Sequence, residues 1–122
     1  MKTIQGKAIR AYKTIDRMRK QALKSTVARD LFLLRQALTP VYQFQADREK
    51  QLIEEVGGTI NEKTGSVIIT DDESRKRFFE LMADLASMET DIIWDPKTIH
   101  VADLGEISVD DLESLTDYIM FE

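Results

Sequence analysis

The chain has no cysteine, and it carries only one histidine, one tryptophan and two prolines in 122 residues. The missing thiols exclude disulfides, thiolate zinc sites, iron–sulfur clusters and a cysteine nucleophile together. A thiol-free chain fits a reducing compartment without requiring one. Long apolar runs are also lacking. Leu31-Phe32-Leu33-Leu34 is core-sized, far short of the roughly 20 residues a membrane span needs. The opening Met1-Lys2-Thr3-Ile4-Gln5-Gly6-Lys7 has no apolar signal-peptide stretch, so the cytoplasm is the expected location. Neither a phosphate-cradling glycine fingerprint nor a G-x-S-x-G nucleophile elbow occurs.

What is present reads as one folded domain spanning residues 1–122. The hydrophobic fraction of 43% and charged fraction of 32% are globular values. A chain of this length buries about two-thirds of its unfolded surface, enough for a core without metals or disulfides. The net charge of −5 hides an asymmetry. Residues 1–56 hold twelve Lys and Arg against six Asp and Glu, whereas residues 57–122 hold five against sixteen. The basic extreme is the amino-terminal stretch 1–24.

Apolar spacing organises the chain. Ile4, Ala8, Ala11 or Tyr12, and Ile15 recur at helical intervals, predicting a short basic helix followed by a basic turn. A second stripe, Val27, Leu31, Leu34, Leu38 and Val41, weakens through Gln45 and Arg48, returns at Leu52 and Val56, and predicts a long helix over 25–57. Ser25 or Thr26 is its expected N-cap, and Gly57-Gly58 its stop. Pro40 either bends this helix or ends it, with Thr39 capping a new one; the unbroken phase of the stripe favours one long kinked helix. Its far end, Gln45 to Glu55, is mostly polar and is expected to project from the core.

Residues 59–70 read as a β-hairpin around Asn61-Glu62-Lys63-Thr64-Gly65. Thr70 and Glu73 form a capping-box pattern opening a helix over 71–89 that carries Phe78, Leu81, Met82, Leu85 and Met88. Short strands are expected within 91–104, at Ile92-Ile93-Trp94 and at Ile99 to Leu104, the latter beside the hairpin. Ser108 caps a last helix over 108–120 with Leu112, Leu115 and Ile119 facing inward. The predicted class is α+β and helix-dominated: a long kinked helix and a shorter basic helix, a small antiparallel sheet and two further helices.

The order of these features resembles a family of small uncharacterised bacteriophage and prophage proteins. The residues that carry the resemblance run from about Ser25 onward. They are the stretch Arg48 to Gly57, the glycine-bearing turn, Phe78 or Phe79, the acidic segment Asp103-Leu104-Gly105-Glu106-Ile107-Ser108, and Asp111-Leu112-Glu113-Ser114-Leu115. Pro40 departs from the continuous long helix the family implies. The resemblance implies a phage setting, in the bacterial host cell or in the virion. It carries over no activity and no catalytic residues.

The candidate sites divide sharply. His100 has Asp95 and Asp103 near in sequence, but in a strand with apolar neighbours it reads as structural. Asp71-Asp72-Glu73 and Asp110, Asp111 and Glu113 read as helix starts complementing the macrodipole rather than cation sites. Trp94 and Phe121 are core residues or interface anchors, with the core favoured for Trp94. The informative set is Lys7, Arg10, Lys13, Arg17, Arg19, Lys20 and Lys24. This arm is expected first to meet an acidic protein surface, on its own carboxyl-terminal half or on a neighbouring subunit. A solvated helix face ranks second. Nucleic acid ranks third, because no interleaved aromatics suit base stacking and the rest of the chain repels a polyanion. A protein partner or self-association is thus expected, with no catalytic residue, cofactor, metal, membrane or small-molecule substrate indicated.

Overall fold

The computed structural model describes residues 1–122. The class is a helix-dominated α+β fold with four α-helices and small two-stranded sheets. Helix α1 (Gln5–Met18) buries Ala8, Ala11, Tyr12, Ile15 and Met18, the face its spacing predicts. Gly6 lets α1 approach closely, since a Cβ there would sit 3.0 Å from the Ala86 carbonyl oxygen.

Helix α2 (Ser25–Glu55) is one uninterrupted element of 31 residues through Pro40. The proline removes the hydrogen bond that Gln36 would otherwise accept. The Thr39 hydroxyl donates back to the Arg35 carbonyl at 2.8 Å, within the helix, rather than capping a new one. Neither Ser25 nor Thr26 caps α2; the helix opens after Lys24 with no side-chain cap. Its other end closes as expected. Gly57 takes φ +73°, its N–H donates to Glu54 at 3.0 Å, and that of Gly58 donates to Ile53 at 2.8 Å. This pair of bonds is a Schellman stop.

The polar far end of α2 does not project. Leu52, Ile53 and Val56 are buried against Phe78 and Leu85 of α3 (Asp72–Ser87), making a second small core. Two turns of polar residues interrupt this stripe, which resumes only once a partner helix covers it. Asp71, not Thr70, caps α3: its carboxylate accepts the Ser74 N–H at 3.0 Å. Aspartate is at least as good a cap as threonine, so the cap shifts by one residue and the reciprocal Glu73 bond of a capping box does not form.

The expected single antiparallel sheet is instead three separate two-stranded pairings. Strand β1 (Lys2–Ile4) runs antiparallel to β4 (Glu89–Asp91). The hairpin is formed by β2 (Thr59–Ile60) and β3 (Val67–Ile68), with Gly65 at φ +71° in its turn. Strand β5 (Lys97–Ile99) lies parallel to β6 (Ile119–Phe121), away from the hairpin. The run Ile92-Ile93-Trp94 therefore follows a strand instead of forming one, and Val101–Leu104 is a single 3-10 turn.

Helix α4 (Val109–Leu115) starts at Ser108, whose hydroxyl accepts the Asp111 N–H at 3.1 Å. It stops well short of residue 120. The chain beyond it extends because pairing with β5 satisfies its backbone while Tyr118 and Ile119 enter the main core. That core joins α1 and the first half of α2 to Ile92, Trp94, Ile99, Leu104 and Leu115.

Candidate interaction surface

Helix α1 lies between α2 and the carboxyl-terminal segment, and this placement decides what its cations meet. Arg17 Nη2 is 2.7 Å from Asp111 Oδ1, Lys24 Nζ is 2.8 Å from Asp103 Oδ1, and Lys7 Nζ is 3.6 Å from Asp117 Oδ2. Arg10 Nη2 donates to the Asp110 carbonyl at 3.1 Å. Arg19 pairs with Asp16 one turn back on its own helix, at 3.5 Å. Lys13 and Lys20 are exposed and make no ion pair. The basic arm is thus laid along the chain's own acidic half. Each exposed pair contributes at most about 1 kcal/mol, and together they offset part of the arm's positive charge.

The remaining sequence candidates resolve locally. His100 is exposed, its Nδ1 3.7 Å from Glu122 Oε2. No group of three or more His, Asp or Glu side chains is placed to hold a metal ion. Asp71 accepts both the hydroxyl and the N–H of Ser74, which hold its carboxyl below the usual carboxylate range. Trp94 is buried, and its indole N–H donates to the Tyr118 carbonyl at 2.8 Å. Phe121 packs at the core margin. No helix is long and apolar enough to cross a membrane.

The feature that sequence reasoning missed lies where α1 turns into α2. A cavity of about 320 Å³ opens there over an apolar floor of Ile15, Met18, Leu23, Ala28, Leu31 and Phe32. Arg19 and Arg35 stand at its wall. Arg35 is unusually engaged. Its Nη2 donates to Asp16 Oδ1 at 3.1 Å, and its guanidinium lies 5.0 Å above the Tyr12 ring, which stacks on Tyr42 at 4.2 Å. Its Nε is the only buried side-chain polar atom in the protein without a hydrogen-bond partner. Two guanidiniums share the single carboxylate of Asp16, so the cavity retains a net positive charge. One signal was available: Arg35 interrupts the apolar run between Leu34 and Leu38. Nothing in one dimension says that α1 would fold Asp16 and Tyr12 onto it.

Exposed apolar side chains continue outward from this cavity. Phe32 at its rim is 54% exposed, and the adjacent Leu33 shares a shallow hollow with Ile93. A second apolar hollow lies between the hairpin and α3, lined by Val67, Ile68, Ile69, Phe78 and Phe79 with Arg75 as its one charged group. Comparison of the chain with protein-family models, curated proteins and solved structures gave no match.

Proposed function

We propose that this chain is a non-enzymatic interaction module that receives a protein partner at the cavity between α1 and α2. The observation that carries this reading is the make-up of the cavity: an apolar floor walled by the guanidiniums of Arg19 and Arg35. That combination suits an apolar side chain with a carboxylate beside it, because the floor takes the hydrocarbon and the arginine fork takes the anion. Exposed Phe32 and Leu33 extend the apolar contact beyond the cavity mouth. The resemblance to small phage and prophage proteins supports a setting in virion assembly, or an accessory role in a bacterial host cell.

The second reading is nucleic-acid binding through α1. Its specific support is the pair of uncompensated cations Lys13 and Lys20, joined by Lys2. It ranks lower because phosphates would first have to displace Asp117, Asp111 and Asp103 from Lys7, Arg17 and Lys24. A photo-crosslinking amino acid placed at Phe32, and separately at Lys13, tests both readings in bacterial extract. Discrete, nuclease-resistant protein adducts from position 32 support the cavity. Nucleic-acid adducts from position 13, with none from position 32, replace it by the second reading.

A further inference from the structure

A knob that matches the cavity exists on the same molecule. Ile93 is 98% exposed, the most exposed large apolar side chain in the protein. Its backbone leaves it no alternative. Ile92 and Trp94 on either side are buried in the main core, and in an extended segment successive side chains point to opposite faces. Both neighbours are also tied down. The Ile92 N–H donates to the Met1 carbonyl at 2.9 Å, and the Trp94 indole is anchored on Tyr118. Ile93 is therefore held outward on a braced segment, at little ordering cost to a contact it makes.

The charges around it complete the match. Asp91 and Asp95 flank Ile93, both exposed and neither in an ion pair. Lys2 stands across the β1–β4 pairing from Asp91 and Lys97 lines the same hollow as Asp95, but neither lysine forms an ion pair. An isoleucine between two carboxylates suits an apolar cavity under two guanidiniums. The knob and the cavity lie by the same turn of α2, since Leu33 lines the Ile93 hollow and Phe32 lines the cavity.

We infer that the partner received by this cavity is a second copy of the chain, with Ile93 of each copy seated in the cavity of the other and Asp91 and Asp95 facing Arg19 and Arg35. The inference rests on the cavity reading above and names its occupant. Reciprocal insertion is a self-complementary, closed contact, so the expected assembly is a dimer rather than a filament. The apolar centre carries Phe32 and Leu33 from both copies, and the flanking charges make association weaken with salt.

Sedimentation over a range of protein concentrations, together with disulfide trapping, tests this. The absence of natural cysteine makes trapping clean. Ile93→Cys and Ala28→Cys proteins, mixed and mildly oxidised, are expected to give a mixed disulfide between copies. Ile93→Asp is expected to be monomeric, with the melting temperature of wild-type protein diluted until it too is monomeric, because that side chain is 98% exposed within its own copy. A wild-type protein that stays monomeric overturns the inference, as does a dimer that survives Ile93→Asp. If the protein is monomeric while position 32 still crosslinks to a different protein, the second-copy inference falls and the cavity reading stands. A dimer insensitive to Ile93→Asp, with no adduct from position 32, removes both.

Discussion

The hydroxyls of Thr3 and Tyr118 lie 2.6 Å apart in the core, joining residues 115 positions distant in sequence. The bond fastens β1 to the segment entering β6, so the amino-terminal and carboxyl-terminal pairings brace one another. Tyr118→Phe leaves the Thr3 hydroxyl without this partner while keeping the ring volume. The expected loss is about 1–2 kcal/mol of stability, read by urea unfolding. Thr3→Val in the same background should cost little more, because both polar partners are then gone; a second full loss would show the two hydroxyls to be energetically independent.

Tyr118 also sets an alkaline limit. Burial, ahead of the nearby Asp117 charge, pushes its phenol above the usual tyrosine range, and the hydrogen bond with Thr3 opposes part of that shift. The folded state therefore holds its proton more tightly than the unfolded chain does. Its contribution is complete below the unfolded value of about 10 and is lost as pH rises from there through the folded value. Melting temperature should fall more steeply above that pH in wild type than in Tyr118→Phe. Parallel curves for the two proteins would contradict this.

Gly57 holds a positive φ of +73° in open space, with no atom within 4 Å of where a Cβ would stand. Gly57→Ala thus meets no clash and suffers only the left-handed backbone penalty, about 1 kcal/mol. Chemical denaturation should show that loss without a change in the unfolding slope. An unchanged midpoint would mean that the Schellman stop is not needed to end α2.

Pro40 sits in the middle of α2 with its ring exposed. Pro40→Ala restores a backbone donor and forfeits little packing. The expected result is a gain in stability, bounded by the ~3 kcal/mol that proline costs a helix interior. A higher melting temperature with unchanged helical circular dichroism checks it. A lower one would show that α2 must bend at Pro40 to reach both α1 and α3.

Local chemistry made much of the fold readable. The stripe from Val27 to Val41, the Ser108 cap, the Gly57-Gly58 stop and the Gly65 hairpin all act within a few residues, and each appears where its spacing placed it. The departures share one cause. Strand β1 leaves no mark in the sequence because three residues carry no periodicity, and its partner β4 begins 85 positions later. The helix expected through residue 120 gives way to β6 because β5, distant in sequence, offers it backbone partners. The stripe's return at Leu52 and Val56 is legible, but after the polar stretch from Gln45 to Lys50 nothing local says that α3 covers it in a second core.

The site was readable only in part. The sequence by itself determined the class, the four helices, the thiol-free chemistry and the charge asymmetry, because these follow from composition and from contacts within one or two helical turns. Tertiary structure alone decided that the partner of the basic arm is the chain's own acidic end. It alone brought Asp16 and Tyr12 onto Arg35 at the cavity wall and turned Ile93 outward between two anchored neighbours. Those outcomes depend on which distant surfaces cover one another, a property of packing that no local spacing encodes.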